Sequence, residues 1–304
     1  MTLAIETFGL SKRYGNTTAV DNLDLRIEPG EVFGFLGPNG AGKSTTIRML
    51  LALHRPTKGR ATLLGLDAAA DSVEIHRRVG YLPGDLELFP RLTGRQHIAW
   101  FQQSRGVSDA SLASQLIERF QVVVDRPVRE LSKGNRQKIG LVLAFLHKPE
   151  LLVLDEPTSG LDPLMQHEFG SLLRETAADG RTVFLSSHEL DEVQRVTDRI
   201  GIIRDGKLVA EDTVDGLRRA APQKLEVRFR RPVSPADLEA LAGVTVTGTD
   251  GARLTLDVTG EIGPVLKVIA DRDPVDLVAR PADLDELFLS FYRDTARQEV
   301  SHAG

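Results

Sequence analysis

The sequence predicts an α/β chain in two parts: a mainly parallel sheet wound with helices, then a small α+β unit of ferredoxin-like order. Three observations lead there. Short apolar runs at residues 32–36 and 151–154, bounded by turn residues, alternate with segments of helical period, which is the pattern of buried strands joined by crossover helices. The alternation restarts after Arg218-Arg219-Ala220-Ala221-Pro222 in the order β-α-β-β-α-β. At 304 residues the chain also exceeds one typical domain of ~100–200 residues.

Residues 1–8 open with a strand-like alternation, and two further strand-like stretches between Thr18 and Leu36 flank the turn Glu28-Pro29-Gly30-Glu31. After Ser44 the spacing of Ile47, Leu50, Leu51 and His54 predicts a short helix stopped at Pro56-Thr57-Lys58-Gly59. Residues 60–82 read as strand, polar helix, strand. Thr93 is placed to cap a helix carrying Ile98, Trp100 and Phe101, and Asp109 to cap one carrying Leu112, Leu116 and Phe120. Together these form an inserted helical subdomain. Helix 132–146, strand 151–154, helix 163–178, strand 182–185, helix 189–197 and strand 199–204 continue the alternation, and Asp205-Gly206 predicts a hairpin adding a strand at 207–210. In the second part the prediction is strand 225–229, helix 235–242, strands 244–246 and 254–258, helix 261–271 and strand 275–279. A last amphipathic helix, 283–292, carries Leu284, Leu287, Phe288 and Phe291 on one face.

Composition narrows the function classes. With 41% hydrophobic and 27% charged residues the chain is of ordinary globular type, and the absence of Cys excludes disulfides, zinc–thiolate sites and a thiol nucleophile. The first residues lack the basic-then-apolar layout of a secretory signal, and no apolar run approaches the ~20 residues that cross a bilayer, so a cytosolic chain is expected. A net charge of −5 argues against nucleic acid as partner, since that binding draws on clustered Lys and Arg. The basic cluster of Arg218, Arg219, Lys224, Arg228, Arg230 and Arg231 reads as a solvated linker and strand face.

Gly37-Pro38-Asn39-Gly40-Ala41-Gly42-Lys43-Ser44 matches G-x-x-x-x-G-K-[ST] between a predicted strand and a predicted helix. Glycines let the backbone N–H groups wrap phosphate oxygens, the helix N-terminus favours anions, Lys43 meets the β/γ-phosphates and Ser44 faces Mg2+. Asn39, Gly40, Ala41, Gly42, Lys43, Ser44 and Thr45 are therefore the candidate ATP contacts within the chain. The apolar run 151–154 delivers Asp155 toward Mg2+ and Glu156 toward the attacking water as a base.

At this point residues 1–217 resemble the nucleotide-binding subunits of ATP-binding cassette transporters, because further elements follow in that family's order. Leu131-Ser132-Lys133-Gly134-Asn135 is similar to the family signature L-S-G-G-Q, with Lys in place of the first Gly and Asn in place of Gln. The resemblance implies that Ser132, Lys133, Gly134 and Asn135 reach the nucleotide held by a second copy. Ser159-Gly160-Leu161-Asp162 resembles the dimer-contact loop, so Ser159 and Asp162 are implied there. His188 resembles the switch histidine that contacts the γ-phosphate, making Glu156, His188 and Lys43 the implied catalytic set. Tyr14 resembles the aromatic that stacks on adenine, with Val20 nearby.

The family usually carries a Gln where this chain has Gly84, which supplies no side-chain ligand; Asp85 or Glu87 substitutes in the Mg2+ shell, or water completes it. Phe89, Trp100 and Phe101 are either docking residues for a membrane partner or the helical subdomain's own core. The resemblance implies a P-loop NTPase cassette at 1–217, with an antiparallel β subdomain and a helical subdomain at about 86–140. Residues 218–304 carry no motif assignable to chemistry, and their packing pattern reads as a regulatory or dimerisation domain. The resemblance further implies ATP and Mg2+ as cofactors, a homodimer, a separate transmembrane permease, a place on the cytoplasmic face of the membrane, and export of a drug, antibiotic, lipid or polysaccharide. An importer ATPase with a regulatory domain, or a soluble cassette ATPase of translation or DNA repair, are the alternatives.

Overall fold

A computed structural model describes residues 2–280. The chain divides into two compact units between Glu211 and Asp212, earlier than the expected limit at 217. In chain order the first unit holds β1 (Ile5–Tyr14), β2 (Thr17–Leu23), β3 (Arg26–Ile27), β4 (Val32–Leu36), α1 (Lys43–Leu50), β5 (Lys58–Leu63), β6 (Leu66–Asp67), α2 (Ser72–Arg78) and β7 (Val79–Leu82). There follow α3 (Gly94–Arg105), α4 (Ser111–Arg119), α5 (Lys133–Phe145), β8 (Leu151–Asp155), α6 (Pro163–Ala178), β9 (Thr182–Ser187), α7 (Leu190–Val193), β10 (Arg199–Arg204) and β11 (Lys207–Thr213), whose last two residues fall past the break.

Every residue of β4, β8 and β9 is buried, the apolar runs as expected of central strands and the polar ends Asp155, Ser186 and Ser187 with them. They form the centre of a sheet ordered β11-β10-β4-β9-β8-β7, parallel from β10 through β7. Asp205 (φ 47°) and Gly206 (φ 78°) make the left-handed two-residue turn that folds β11 back onto β10. A second, antiparallel sheet runs β2-β1-β5-β6, with β3 also paired to β1. Between the sheets one core gathers Ile5, Leu10 and Val20 from the antiparallel side, Phe33, Phe35 and Phe184 from the parallel side, and Ile47 and Leu50 from α1. Each such fully buried side chain stabilises the fold by roughly 1.5–3 kcal/mol relative to exposure.

The helix ends follow local chemistry. Thr93 caps α3 in a reciprocal pair with Gln96, as expected. Asp109 does not cap α4: Ala110 holds that position, and the Asp109 carboxylate accepts from the Ser111 N–H instead. The first helix stops at Leu50, because Ala52 turns left-handed (φ 55°), which leaves His54 outside it. α7 covers 190–193 instead of 189–197; the Thr197 hydroxyl bonds the Val193 carbonyl and Asp198 accepts from the Val32 N–H, which turns the chain into β10.

The second unit holds α8 (Val214–Ala220), β12 (Gln223–Phe229), α9 (Ala236–Glu239), β13 (Val244–Asp250), β14 (Arg253–Val258), α10 (Gly263–Ala270) and β15 (Pro274–Arg280). Its antiparallel order β13-β14-β12-β15 is the ferredoxin-like arrangement, around Leu225, Val227, Phe229, Leu238, Leu256 and Ile269. The helix expected at 283–292 lies outside the described residues.

Candidate nucleotide-binding site

The parallel strands β4, β8 and β9 end side by side, and ligand sites of such sheets lie beyond the carboxyl ends of the strands. From β4 the chain enters the glycine loop. Gly40 (φ 84°) and Gly42 (φ 109°) take left-handed conformations, and a Cβ added at Gly42 would sit 2.4 Å from the Ala19 carbonyl oxygen. Lys43 begins α1 and folds back over the loop, only 5% exposed. Its Nζ donates to the carbonyls of Gly37 (2.6 Å) and Pro38 (3.2 Å) and lies 3.3 Å from Glu156 Oε1.

β8 delivers Asp155, buried at its end, where Oδ1 accepts from Ser186 Oγ at 2.5 Å. The other oxygen, Oδ2, faces Gly84: a Cβ there would come within 3.2 Å of it. Glu156 follows with φ 50°, a conformation seldom adopted by a side-chain-bearing residue. Its N–H donates to the Ser186 carbonyl (3.2 Å) and Oγ (3.1 Å). Its carboxylate bridges two partners, Lys43 through Oε1 and His188 through Oε2. The carboxylate only accepts, so His188 Nδ1 donates across 2.6 Å. Burial first, then the Asp155 carboxylate, pushes the Tyr81 phenol up to about 12, which keeps it neutral beside the acid pair.

These groups line one cleft of about 450 Å³, which brings together Asn39, Gly40, Gly42, Lys43, Ser44, Thr45, Asp155, Glu156 and His188 with Gly84, Asp85, Lys133 and Ser159. Glu87 does not line it. Val20 is buried beneath the loop, with Cγ2 facing Gly42, and Ala41 is buried in the core. Tyr14 stands at the end of β1, 44% exposed, with its hydroxyl 2.6 Å from His54 Nδ1 and the Lys12 ammonium 5.1 Å from its ring centroid.

Ser132, Gly134, Asn135 and Asp162 lie outside the cleft lining. Ser132 caps α5 by accepting from the Asn135 N–H. The Asn135 amide is committed to Val123, accepting from its N–H and donating to its carbonyl, both at 2.8 Å. Gly134 packs so close to Gly160 that an added Cβ would stand 2.3 Å from its carbonyl oxygen. Lys133 Nζ donates to Ser159 Oγ at 2.8 Å, and Asp162 caps α6 through the Met165 N–H. Phe89 and Trp100 are exposed and meet edge to face at 6.3 Å, whereas Phe101 is half-buried between Arg105 and His147. Sequence reasoning missed Ser186 and the Tyr14–His54 pair; the Ser186-Ser187-His188 run was the available signal for the first, and nothing local marks the second.

Hard oxygen donors at Ser44 and Asp155 in one cleft fit Mg2+, which takes one or two protein oxygens and completes its shell from phosphate and water. Among the described residues no three His, Asp or Glu side chains converge into an all-protein cage. Gly84 leaves the Asp155 Oδ2 side open for such an ion.

The family described as "ABC transporter" matches residues 20–159. The chain is 38% identical over 232 residues to the bacitracin transport ATP-binding protein BcrA of Bacillus licheniformis, covering 75% of this chain and 76% of that one. It is 35% identical over 308 residues to the daunorubicin resistance ATP-binding protein DrrA3 of Streptomyces coeruleorubidus, covering 97% of each. A solved structure of an ATP-binding subunit of an ABC transporter is similar at a TM-score of 0.66 and 32% identity, over 72% of this chain and 92% of that one.

Proposed function

The chain belongs to the ATP-binding proteins of the ABC transporter family, and from that premise we propose that it hydrolyses ATP to drive export through a separate membrane permease. Relatives named for bacitracin transport and daunorubicin resistance support a drug or antibiotic as cargo. The observation that carries the reading is the Glu156 carboxylate held between Lys43 and His188 in one cleft with the glycine loop.

In this reading the loop N–H groups and Lys43 bind the β- and γ-phosphates. Glu156 accepts a proton from water as the water oxygen bonds the γ-phosphorus and the bond to the ADP oxygen breaks. His188 Nδ1–H holds the carboxylate in line, and its ring reaches the γ-phosphate. Ser44 and Asp155 would hold Mg2+, which supplies positive charge to the developing phosphate oxygens, with Asp85 at the rim of the cleft as a further oxygen donor. Tyr14, steadied by His54, offers its ring to adenine, while Val20, fully buried, supports the glycine loop from beneath at Gly42.

Ser132 and Gly134 lie outside their own chain's cleft, which supports a head-to-tail homodimer: a second copy supplies them, with Ser159 and Asp162 at the junction. Asn135, tied to Val123, shapes the signature rather than touching nucleotide. Among the described residues no helix is long and apolar enough to cross a membrane. In this reading a separate permease does the spanning and the chain docks on its cytoplasmic side, with exposed Phe89 and Trp100 toward it.

Glu156→Gln tests the assignment. Removing a general base costs roughly 10²–10⁴ in rate, so the variant should bind ATP, accumulate as a closed dimer and lose hydrolysis. Hydrolysis at the wild-type rate would overturn the reading.

A further inference from the structure

The helix that begins at the signature also grips the catalytic loop of its own chain. Lys133, Gly134, Gln137 and Lys138 share one face of α5, at the i, i+1, i+4, i+5 spacing of neighbouring turns. All four meet residues 156–162. Lys133 Nζ donates to Ser159 Oγ, Gly134 abuts the Gly160 carbonyl, and Lys138 Nζ lies 4.0 Å from Asp162 Oδ2. Gln137, 4% exposed, donates Nε2–H to the Glu156 carbonyl (3.3 Å) and the Pro157 carbonyl (3.1 Å). Two carbonyl oxygens accept and never donate, so they fix which end of the amide faces them.

Glu156 is the residue that needs such a grip. A side-chain-bearing residue with positive φ is strained, and persists where its surroundings over-determine it. Ser186 holds the peptide on its N–H side, through both carbonyl and hydroxyl. Gln137 holds it on the carbonyl side. The carboxylate between these two anchors is the one that reaches Lys43 and His188.

We propose that Gln137 is a positioning residue for Glu156: its amide fixes the peptide that aims the carboxylate, and thereby ties hydrolysis to the helix that presents Ser132. This rests on Glu156 acting as the base. A displacement of α5 when Ser132 engages the partner's nucleotide is then passed to the Glu156 peptide of the same chain.

The test is steady-state ATP hydrolysis by the full chain carrying Gln137→Met, Gln137→Glu or Glu156→Gln. Methionine keeps the volume and removes the donor, so kcat should fall about ten- to a hundredfold with the KM for ATP held within about twofold, the mark of lost positioning. The introduced carboxyl can donate to the two carbonyl oxygens only in its neutral form, which burial favours, so the rate of Gln137→Glu relative to wild type at the same pH should fall as pH rises from about 6 to about 9.5. The Met ratio should stay flat.

Wild-type kcat in Gln137→Met, or a flat ratio in Gln137→Glu, overturns the proposal. If Gln137→Met does not fold, the Gln137→Glu pH ratio decides alone. Glu156→Gln separates the two readings: an active Glu156→Gln overturns the base assignment, whereas an inert Glu156→Gln beside a fully active Gln137→Met overturns the role of Gln137 alone.

Discussion

Gly134 shows how one missing side chain holds the signature to the catalytic loop. Its Cα hydrogen side meets the Gly160 carbonyl oxygen, and a methyl group placed there would stand 2.3 Å from it. Backbone cannot swing aside as a flexible side chain can. Gly134→Ala should therefore cost about 1–3 kcal/mol by overpacking, read as a lower midpoint in thermal unfolding, and should also slow hydrolysis by loosening the seam that holds residues 156–162. An unchanged midpoint would mean that the two backbones separate freely. Legibility at this scale divides by how far a residue's partners lie in the chain. That the glycine loop, Asp155, Glu156 and His188 share one cleft could be anticipated, because each lies at the end of a strand or directly after it. The hold of Val123 on the Asn135 amide could not be read, because Val123 sits on a loop that no local pattern pairs with it. Gln137 was passed over for the same reason, since its two acceptors lie about twenty residues away across the fold.

At the scale of elements, α5 ends against β7 through a histidine. His147 Nε2–H donates to the Val79 carbonyl at 3.2 Å, while its Nδ1 is buried with no partner among the described residues. Burial, and then the Arg105 guanidinium, lowers this imidazole to about 4, so the folded chain keeps it neutral. The unfolded chain takes up the proton near the ordinary value of about 6.5. The stability that depends on the neutral ring is thus complete above that value and is lost as pH falls toward 4. Thermal midpoints of wild type should drop more steeply between about pH 6.5 and 4 than those of His147→Gln, which keeps a donor for Val79 and does not titrate; parallel curves would refute the assignment. Element existence was largely readable here. α6 came out at 163–178 because Asp162 caps one end and Gly180, at φ 81°, closes the other. α7 was over-extended because beyond Val193 the chain tightens into a turn, with the Val196 N–H bonding the Val193 carbonyl three residues back, and Asp198 is then tied to Val32. The short strands β3 and β6 went unpredicted: two residues carry no period, and pairing with β1 and β5 alone defines them.

At the scale of the molecule, each unit has its own core. The core around Phe35, Ile47 and Phe184 and every residue lining the nucleotide cleft belong to the first unit, and the core around Leu225 and Leu256 belongs to the second. The restart of pattern marked a division, but the break falls at 211/212, ahead of α8, whereas the expected limit at 217 cuts through that helix. Separate cores predict separable functions. A chain ending at Ala221 keeps all the cleft residues and should bind ATP with a Kd within about threefold of the full chain, a change under roughly 0.7 kcal/mol. If the ferredoxin-like unit serves dimerisation or regulation, the same truncation made in Glu156→Gln should need more ATP, or more protein, to reach the closed dimer in size-exclusion chromatography. Closure at the same concentrations, together with full transport by the truncated chain, would exclude both roles. Loss of ATP binding itself would instead show that the first unit depends on the second to fold.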